Sequence, residues 1–190
     1  MRFGRRPAVR LLAVLLLSLA LAGCAGHGSL PPLPPADEGP YKLGAGDRIR
    51  LVVFGQDELS GEYLVSDSGF ITVPLIGAVD AEGLSLRELE GQIGSELKQG
   101  ILVNPNCSVE ISTYRPFYIL GETKAPGQYP YVPRMTVLTA VSISGGFTFR
   151  ADQDLMSITR VVEGQISEFQ ADPLAYVQPG DVINVYERYF

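Results

Sequence analysis

Few residues in this 190-residue chain could do chemistry, and their surroundings matter more than their number. There are two cysteines, Cys24 and Cys107, and one histidine, His27. His27 lies in a proline-rich stretch with no metal-ligand cluster around it and is assigned no role, and a Ser-His-Asp or Cys-His arrangement would have to use it. No GxGxxG, P-loop, HExxH or Cys cluster occurs, so no metal or cofactor is expected. Carboxylates are numerous enough for a two-carboxylate glycoside hydrolysis site. Yet Asp47, Asp67 and Asp181 each stand beside or near glycine in Gly46-Asp47, Asp67-Ser68-Gly69 and Gly180-Asp181, where turn chemistry accounts for them. The expectation is therefore a protein without catalytic residues.

Cys24 is the exception among the thiols. Arg2, Arg5, Arg6 and Arg10 give a basic start, Leu11 to Leu21 run without a charge, and Ala22-Gly23 precede the cysteine. That is the pattern of an export signal. Its eleven apolar residues fall short of the roughly 20 a spanning helix needs. Leu21-Ala22-Gly23-Cys24 resembles the lipobox of bacterial lipoproteins, in which the signal is cut before the cysteine and acyl chains are added. Residues 1–23 are expected to be a lipoprotein signal peptide and Cys24 the lipidated residue. Each buried acyl methylene contributes about 0.8 kcal/mol to anchoring. Ala25 after the cysteine resembles lipoproteins released to the outer membrane, so the expected site is the outer membrane, anchored on its periplasmic side.

Removing the signal removes four arginines and no acids, leaving eleven cations against 21 acids, a net charge of −10 over 167 residues. Such acidity argues against nucleic acid as a partner. Cys107 is then the sole thiol, and no internal disulfide can form. It alternates with Val109 and Ile111, which reads as a buried strand position.

Residues 24–40 carry five prolines, Pro31, Pro32, Pro34, Pro35 and Pro40, and read as an extended tether. From Tyr41, short apolar runs are punctuated by glycine. Strands are expected at Arg48–Phe54, Glu62–Val65, Phe70–Val73, Leu75–Val79 and Cys107–Thr113, with residues 66–69 closing a hairpin. Ser85 to Lys98 reads as a helix: Leu86, Leu89, Ile93 and Leu97 form one stripe, and Ser85 with Glu88 makes a capping box. A second unit has strands at Phe117–Leu120, Gly127–Tyr129, Met156–Val162, Ile166–Phe169 and Val182–Tyr186. Its helix is capped by Thr136 and ended by Gly145-Gly146. Glu163-Gly164 marks another hairpin. The fold class is α+β, as two small domains at 41–113 and 114–190. Gly46-Asp47-Arg48-Ile49-Arg50-Leu51 is echoed by Gly180-Asp181-Val182-Ile183-Asn184-Val185. Tyr114, Phe117, Tyr118, Tyr129 and Tyr131 cluster in sequence, as glycan-stacking or as interface and core aromatics.

Tyr41-Lys42-Leu43-Gly44-Ala45-Gly46-Asp47-Arg48-Ile49, followed by Asp67-Ser68-Gly69-Phe70-Ile71-Thr72-Val73-Pro74-Leu75-Ile76-Gly77, resembles the outer-membrane polysaccharide export family of Wza type. Phe117-Tyr118-Ile119-Leu120-Gly121-Glu122, Pro126-Gly127, Gly145-Gly146 and Pro179-Gly180-Asp181 resemble the soluble-ligand-binding β-grasp (SLBB) domain of that family. The resemblance implies turn roles for Gly46, Asp47, Asp67, Gly69, Pro74, Gly77, Gly121, Gly127, Gly180 and Asp181. It also implies a homo-oligomeric periplasmic ring. Such a ring conducts a capsular or extracellular polysaccharide and works with an inner-membrane co-polymerase of tyrosine-kinase type. Longer members add further β-grasp domains and a C-terminal membrane helix. A short form is expected here, with a separate outer-membrane barrel protein or a rearrangement completing the route. The competing expectation is a monomeric periplasmic lipoprotein that binds a glycan or small ligand without forming a conduit.

Overall fold

The computed structural model describes residues 30–35, 39–162 and 164–188. The expected signal, Cys24, His27, Glu163 and Tyr189-Phe190 lie outside the described residues. Residues 31–190 make one compact unit, to which everything below refers.

Alternation builds the first half. In β1 (Arg48–Val53), Ile49, Leu51 and Val53 are buried while Arg48, Arg50 and Val52 face outward. β1 is the central strand of an antiparallel sheet in the order β2-β1-β5, with β2 Gly61–Leu64 and β5 Cys107–Thr113. A separate two-stranded ribbon pairs β3 (Phe70–Val73) with β4 (Gly77–Asp80). Helix α1 (Leu86–Lys98) sets Leu89, Ile93 and Leu97 into the same core as Ile49, Leu51, Ile71 and Val73. Its capping box is complete. The Ser85 hydroxyl accepts from the Glu88 N–H at 3.3 Å, and the Glu88 carboxylate accepts from the Ser85 N–H at 2.7 Å. Lys42 donates to the same carboxylate oxygen at 2.8 Å.

Two expectations change in this half. Residues 66–69 form a tight turn, with Gly69 N–H donating to Ser66 O at 3.0 Å, but its flanking strands do not pair with each other. Val65 N–H donates to Asp47 O and its carbonyl accepts from Gly46 N–H, which holds β2 against the start of β1. The Gly69 carbonyl accepts from Ala81 and Glu82, which draws β3 to β4 instead. The expected strand from Leu75 begins only at Gly77. Val73 pairs with Gly77, leaving Pro74-Leu75-Ile76 as the connecting turn, with Leu75 at φ +70°.

The second half is a five-stranded sheet in the order β7-β6-β10-β8-β9. Its strands are β6 Phe117–Gly121, β7 Gly127–Tyr129, β8 Ala151–Val162, β9 Gln165–Ala171 and β10 Val182–Glu187. β6 and β10 run parallel and the other pairs are antiparallel. Helix α2 (Val137–Ile143), capped by Thr136, packs Val137 and Val141 onto Phe117, Ile119, Met156, Ile158 and Ile183. The result is the two-domain α+β fold expected from the sequence, with one core per domain. β8 starts five residues before the expected Met156. Asp152 to Leu155 lack the alternation that marks a strand, yet Ala151 pairs with Glu187 across a register shift. Gly127 opens β7 opposite Ile119 and is not at positive φ, so it is a strand residue and not a turn. Among the described residues no helix is long and apolar enough to cross a membrane.

The tether also departs from a free spacer. Leu33 N–H donates to Gln170 O at 3.1 Å, and Gln170 N–H donates to Pro31 O at 2.8 Å, a parallel bridge onto the outer edge of β9. Prolines lack the donor that a longer ladder needs, and Leu33 supplies the one N–H available. Its side chain packs against the second core. The segment thus covers part of an edge strand that would otherwise stay open.

Two outcomes follow. The Glu88 carboxyl is held down from 4.5 to about 2 by the Lys42 ammonium and the Ser85 N–H and hydroxyl. A depressed carboxyl stabilises the fold above its unfolded value and loses that contribution as pH falls toward 2. The stability gap between the wild type and Glu88→Gln should therefore be constant above about pH 5 and close by pH 2 in urea titrations. For the strap, deleting residues 30–35 should raise the amide exchange rate of Gln170 while leaving Ile158 and Ile183 protected. Unchanged Gln170 exchange would show that the bridge is not held in solution.

Candidate functional site

The Gly-Asp echo is one structural device used twice. Gly46 and Gly180 stand at φ +92° and +89°, in the left-handed region that glycine enters without Cβ strain. That bend turns Asp47 and Asp181 back onto the chain. Asp47 Oδ2 accepts from Gly44 N–H at 2.8 Å, and Asp181 Oδ2 accepts from Gln178 N–H at 2.7 Å, each three residues upstream. Each aspartate immediately precedes the central strand of its domain, β1 or β10, and is 0% and 1% exposed respectively.

A carboxylate so buried needs a partner, because an unpaired charge there costs several kcal/mol. Asp181 receives Arg160 of β8 through both oxygens, Nε to Oδ1 at 2.9 Å and Nη2 to Oδ2 at 2.7 Å. Asp47 receives Arg115 through its backbone N–H to Oδ1 at 2.7 Å and Nη1 to Oδ2 at 3.0 Å. The Tyr41 hydroxyl donates to the same Oδ2 at 2.6 Å. Both carboxylates have their oxygens filled by fixed donors, an arrangement that fixes turns and leaves little room for proton transfer.

Arg115 lies between β5 and β6, where the chain passes from the first domain to the second. Its Nη1 serves Asp47 and Tyr41, while Nε donates to Pro179 O at 3.1 Å, in the turn that carries Gly180 and Asp181. Gly180 N–H donates to Pro116 O at 3.0 Å beside it. One guanidinium therefore ties both Gly-Asp turns together. It needs the space left by glycine: a Cβ on Gly44 would sit 2.3 Å from its Nη1. Burial and the hydrogen bond to Asp47 push the Tyr41 phenol above its ordinary range.

The five nominated aromatics do not share one site. Tyr114 and Tyr131 meet edge to face at 5.3 Å, and Tyr41 extends the ladder to Tyr114 at 5.0 Å. Phe117 is in the core, 6.1 Å from Tyr129 between ring centres, and Tyr118 points outward from the opposite face of β6. Beside the ladder is a cleft of about 340 Å³, whose lining includes Tyr41, Lys42, Arg115, Tyr131, Arg134 and Tyr176. A separate cleft of about 440 Å³ lies between the Pro32–Pro35 strap and the loop after β9.

The remaining nominated positions are scattered. Asp67 is exposed, Gly69 and Gly77 lie at positive φ in the first domain, and Pro74 opens the β3–β4 turn. Gly121 ends β6 at φ +81°, where a Cβ would lie 2.1 Å from Val185 O. Cys107 is half-buried and not fully buried as expected, with its thiol donating to Glu90 O at 3.4 Å. Its inward position in β5 faces Gly94 of α1, which leaves it room but no full cover. Burial and nearby Glu90 push that thiol up, away from the reactive thiolate. Tyr41, Arg115, Arg134, Arg160 and Tyr176 were not singled out from sequence. The Gly-Asp echo was the available signal for the two arginines, since a buried aspartate requires a cation.

Comparison with known proteins places this architecture. Residues 35–112 match the family model described as polysaccharide biosynthesis/export protein, and residues 116–169 match the SLBB domain. The exopolysaccharide production protein ExoF of Rhizobium meliloti (strain 1021) is 36% identical over 163 residues, 80% of this chain and 38% of that protein. The EPS I polysaccharide export outer membrane protein EpsA of Ralstonia nicotianae (strain ATCC BAA-1114 / GMI1000) is 29% identical over 150 residues, 64% of this chain and 39% of that one. The polysialic acid transport protein KpsD of Escherichia coli is 28% identical over 108 residues, covering 56% and 19%. The chain thus spans less than half the length of each of these relatives.

Replacing Arg160 by Met should cost about 3–5 kcal/mol, because Asp181 is left charged and buried. Arg115→Met should cost less, about 1–3 kcal/mol, since the Asp47 oxygens keep their amide and phenol donors. Urea unfolding of the full chain reads both. Losses below about 1 kcal/mol in each would show that the turns hold without their arginines.

Proposed function

The chain belongs to the polysaccharide biosynthesis/export family of Wza-type proteins, and on that premise we propose that it is a lipid-anchored, non-enzymatic subunit of a capsular or extracellular polysaccharide exporter. Cys24 carries the anchor, the tether spans 24–40, and domains 41–113 and 114–190 build a homo-oligomeric ring at the periplasmic side of the outer membrane. The ring takes polymer from an inner-membrane co-polymerase and passes it outward.

The single observation that carries this reading is the two-domain match in order, export domain then SLBB domain, joined through Arg115. A conduit assembled from many copies needs subunits whose two domains keep one relative orientation. The Arg115 tie to both Gly-Asp turns supplies such a constraint. The names of these three relatives all concern polysaccharide production, export or transport, which supports the same substrate class. The family consists of export proteins, which supports the non-enzymatic part of the proposal.

A deletion strain should retain polymer that the wild type releases. Secretion should return with the wild-type gene and not with Cys24→Ser. Light scattering of the full chain in mild detergent should give a large closed oligomer. Unchanged external polymer in a strain without paralogues, together with a monomer in detergent, would overturn the export reading in favour of a ligand-binding lipoprotein.

A further inference from the structure

The cleft beside the tyrosine ladder has a composition that its structural neighbours do not explain. Lys42, Arg115 and Arg134 line it, and among the described lining residues there is no carboxylate, although the whole chain carries a net charge of −6. Among the described residues, Asp47 is paired to Arg115, Asp181 to Arg160 and Glu88 to Lys42. Arg134 differs from the other two cations. Its guanidinium makes no hydrogen bond or ion pair among the described residues, and it is exposed. Its backbone stands at φ +65°, the left-handed region that residues other than glycine enter at some strain. The chain therefore holds an unpaired cation at this rim at some conformational cost.

Around it stand rings. Tyr41 and Tyr131 are half-buried and Tyr176 is 45% exposed, and all three line the cleft, the Tyr41 hydroxyl being taken by Asp47 and Arg115. The volume, about 340 Å³, falls at the small end of the roughly 300–1,000 Å³ of small-molecule sites. Tyrosine rings present a flat apolar surface with a polar tip. A guanidinium forks onto a carboxylate through two parallel N–H donors. Together these are the groups that recognise a sugar ring bearing a carboxylate.

We propose that this cleft is a saccharide subsite selective for a carboxylated sugar residue, with Arg134 contacting the carboxylate and Tyr131 and Tyr176 contacting the ring. That the ligand is a sugar rests on the export reading above; that it is acidic rests on the cleft itself. Lys42 and Arg115 are ion-paired with Glu88 and Asp47, which leaves Arg134 as the cation available to the carboxylate.

The test is titration calorimetry of the full chain in mild detergent with two uncomplicated probes. One is a tetrasaccharide containing glucuronate, and the other is maltotetraose, of the same length and without charge. The glucuronate probe should bind at least about tenfold more tightly, and its affinity should fall as salt is raised. Arg134→Gln should remove about tenfold of that affinity and the salt dependence, while Arg134→Lys should restore part of it. Because Arg134 is exposed and unpaired, its variants should unfold at the wild-type urea midpoint. No measurable glucuronate binding, equal affinity for both probes, or an Arg134→Gln chain that binds as the wild type does would each overturn the subsite. Inorganic phosphate competing as well as glucuronate would reduce it to a general anion site and overturn the sugar assignment. The export reading fails separately, through unchanged secretion in the deletion strain, and that result leaves the calorimetry standing.

Discussion

A carboxylate removed from water must be given back what water supplied, and two such carboxylates govern this molecule. Asp47 and Asp181 are each almost wholly buried at the mouth of a central strand. Each is satisfied first by an amide three residues upstream, which closes the turn, and then by an arginine from another element. The turn sets the direction in which β1 or β10 leaves, and the arginine decides what lies against that turn. Removing charge from either partner alone would leave the other uncompensated, so the pairs act as all-or-none fastenings.

Arg115 converts a local device into an architectural one. Its place is where the chain passes from β5 to β6 and so from one core to the other, and its side chain reaches both Gly-Asp turns. Two small cores, each of a size that is marginal alone, thereby share a polar joint that is directional where an apolar contact would slide. The tyrosine ladder packs on the same joint, and the cleft opens beside it.

The Pro31–Pro35 strap docks outside its own sequence neighbourhood. It meets the second domain although the next element in sequence, β1, belongs to the first. The edge of β9 is covered by backbone that has too few donors to recruit another strand, a modest guard against edge pairing.

Much of this was legible from the residues. Period-two alternation in Arg48–Val53 and Cys107–Thr113, the Leu86-Leu89-Ile93-Leu97 stripe and the Ser85-Glu88 box depend on neighbours in sequence, so the sequence by itself determined those elements and their buried faces. The Gly-Asp echo announced two turns for the same reason. Which strand pairs with which was not local: residues 66–69 form the turn expected of a hairpin, but backbone bonds to Asp47 and Ala81 send its two arms to different sheets. The start of β8 and the docking of Leu33 likewise depend on partners far along the chain. The candidate site was the least legible part. Arg115 and Arg134 are ordinary charged residues in sequence, and only tertiary structure decided that the first closes a joint and the second lines a cleft with Tyr131 and Tyr176. The physical reason is range. Propensity and capping act over a few residues, whereas a buried charge is satisfied by whichever donor the finished fold brings within about 3 Å.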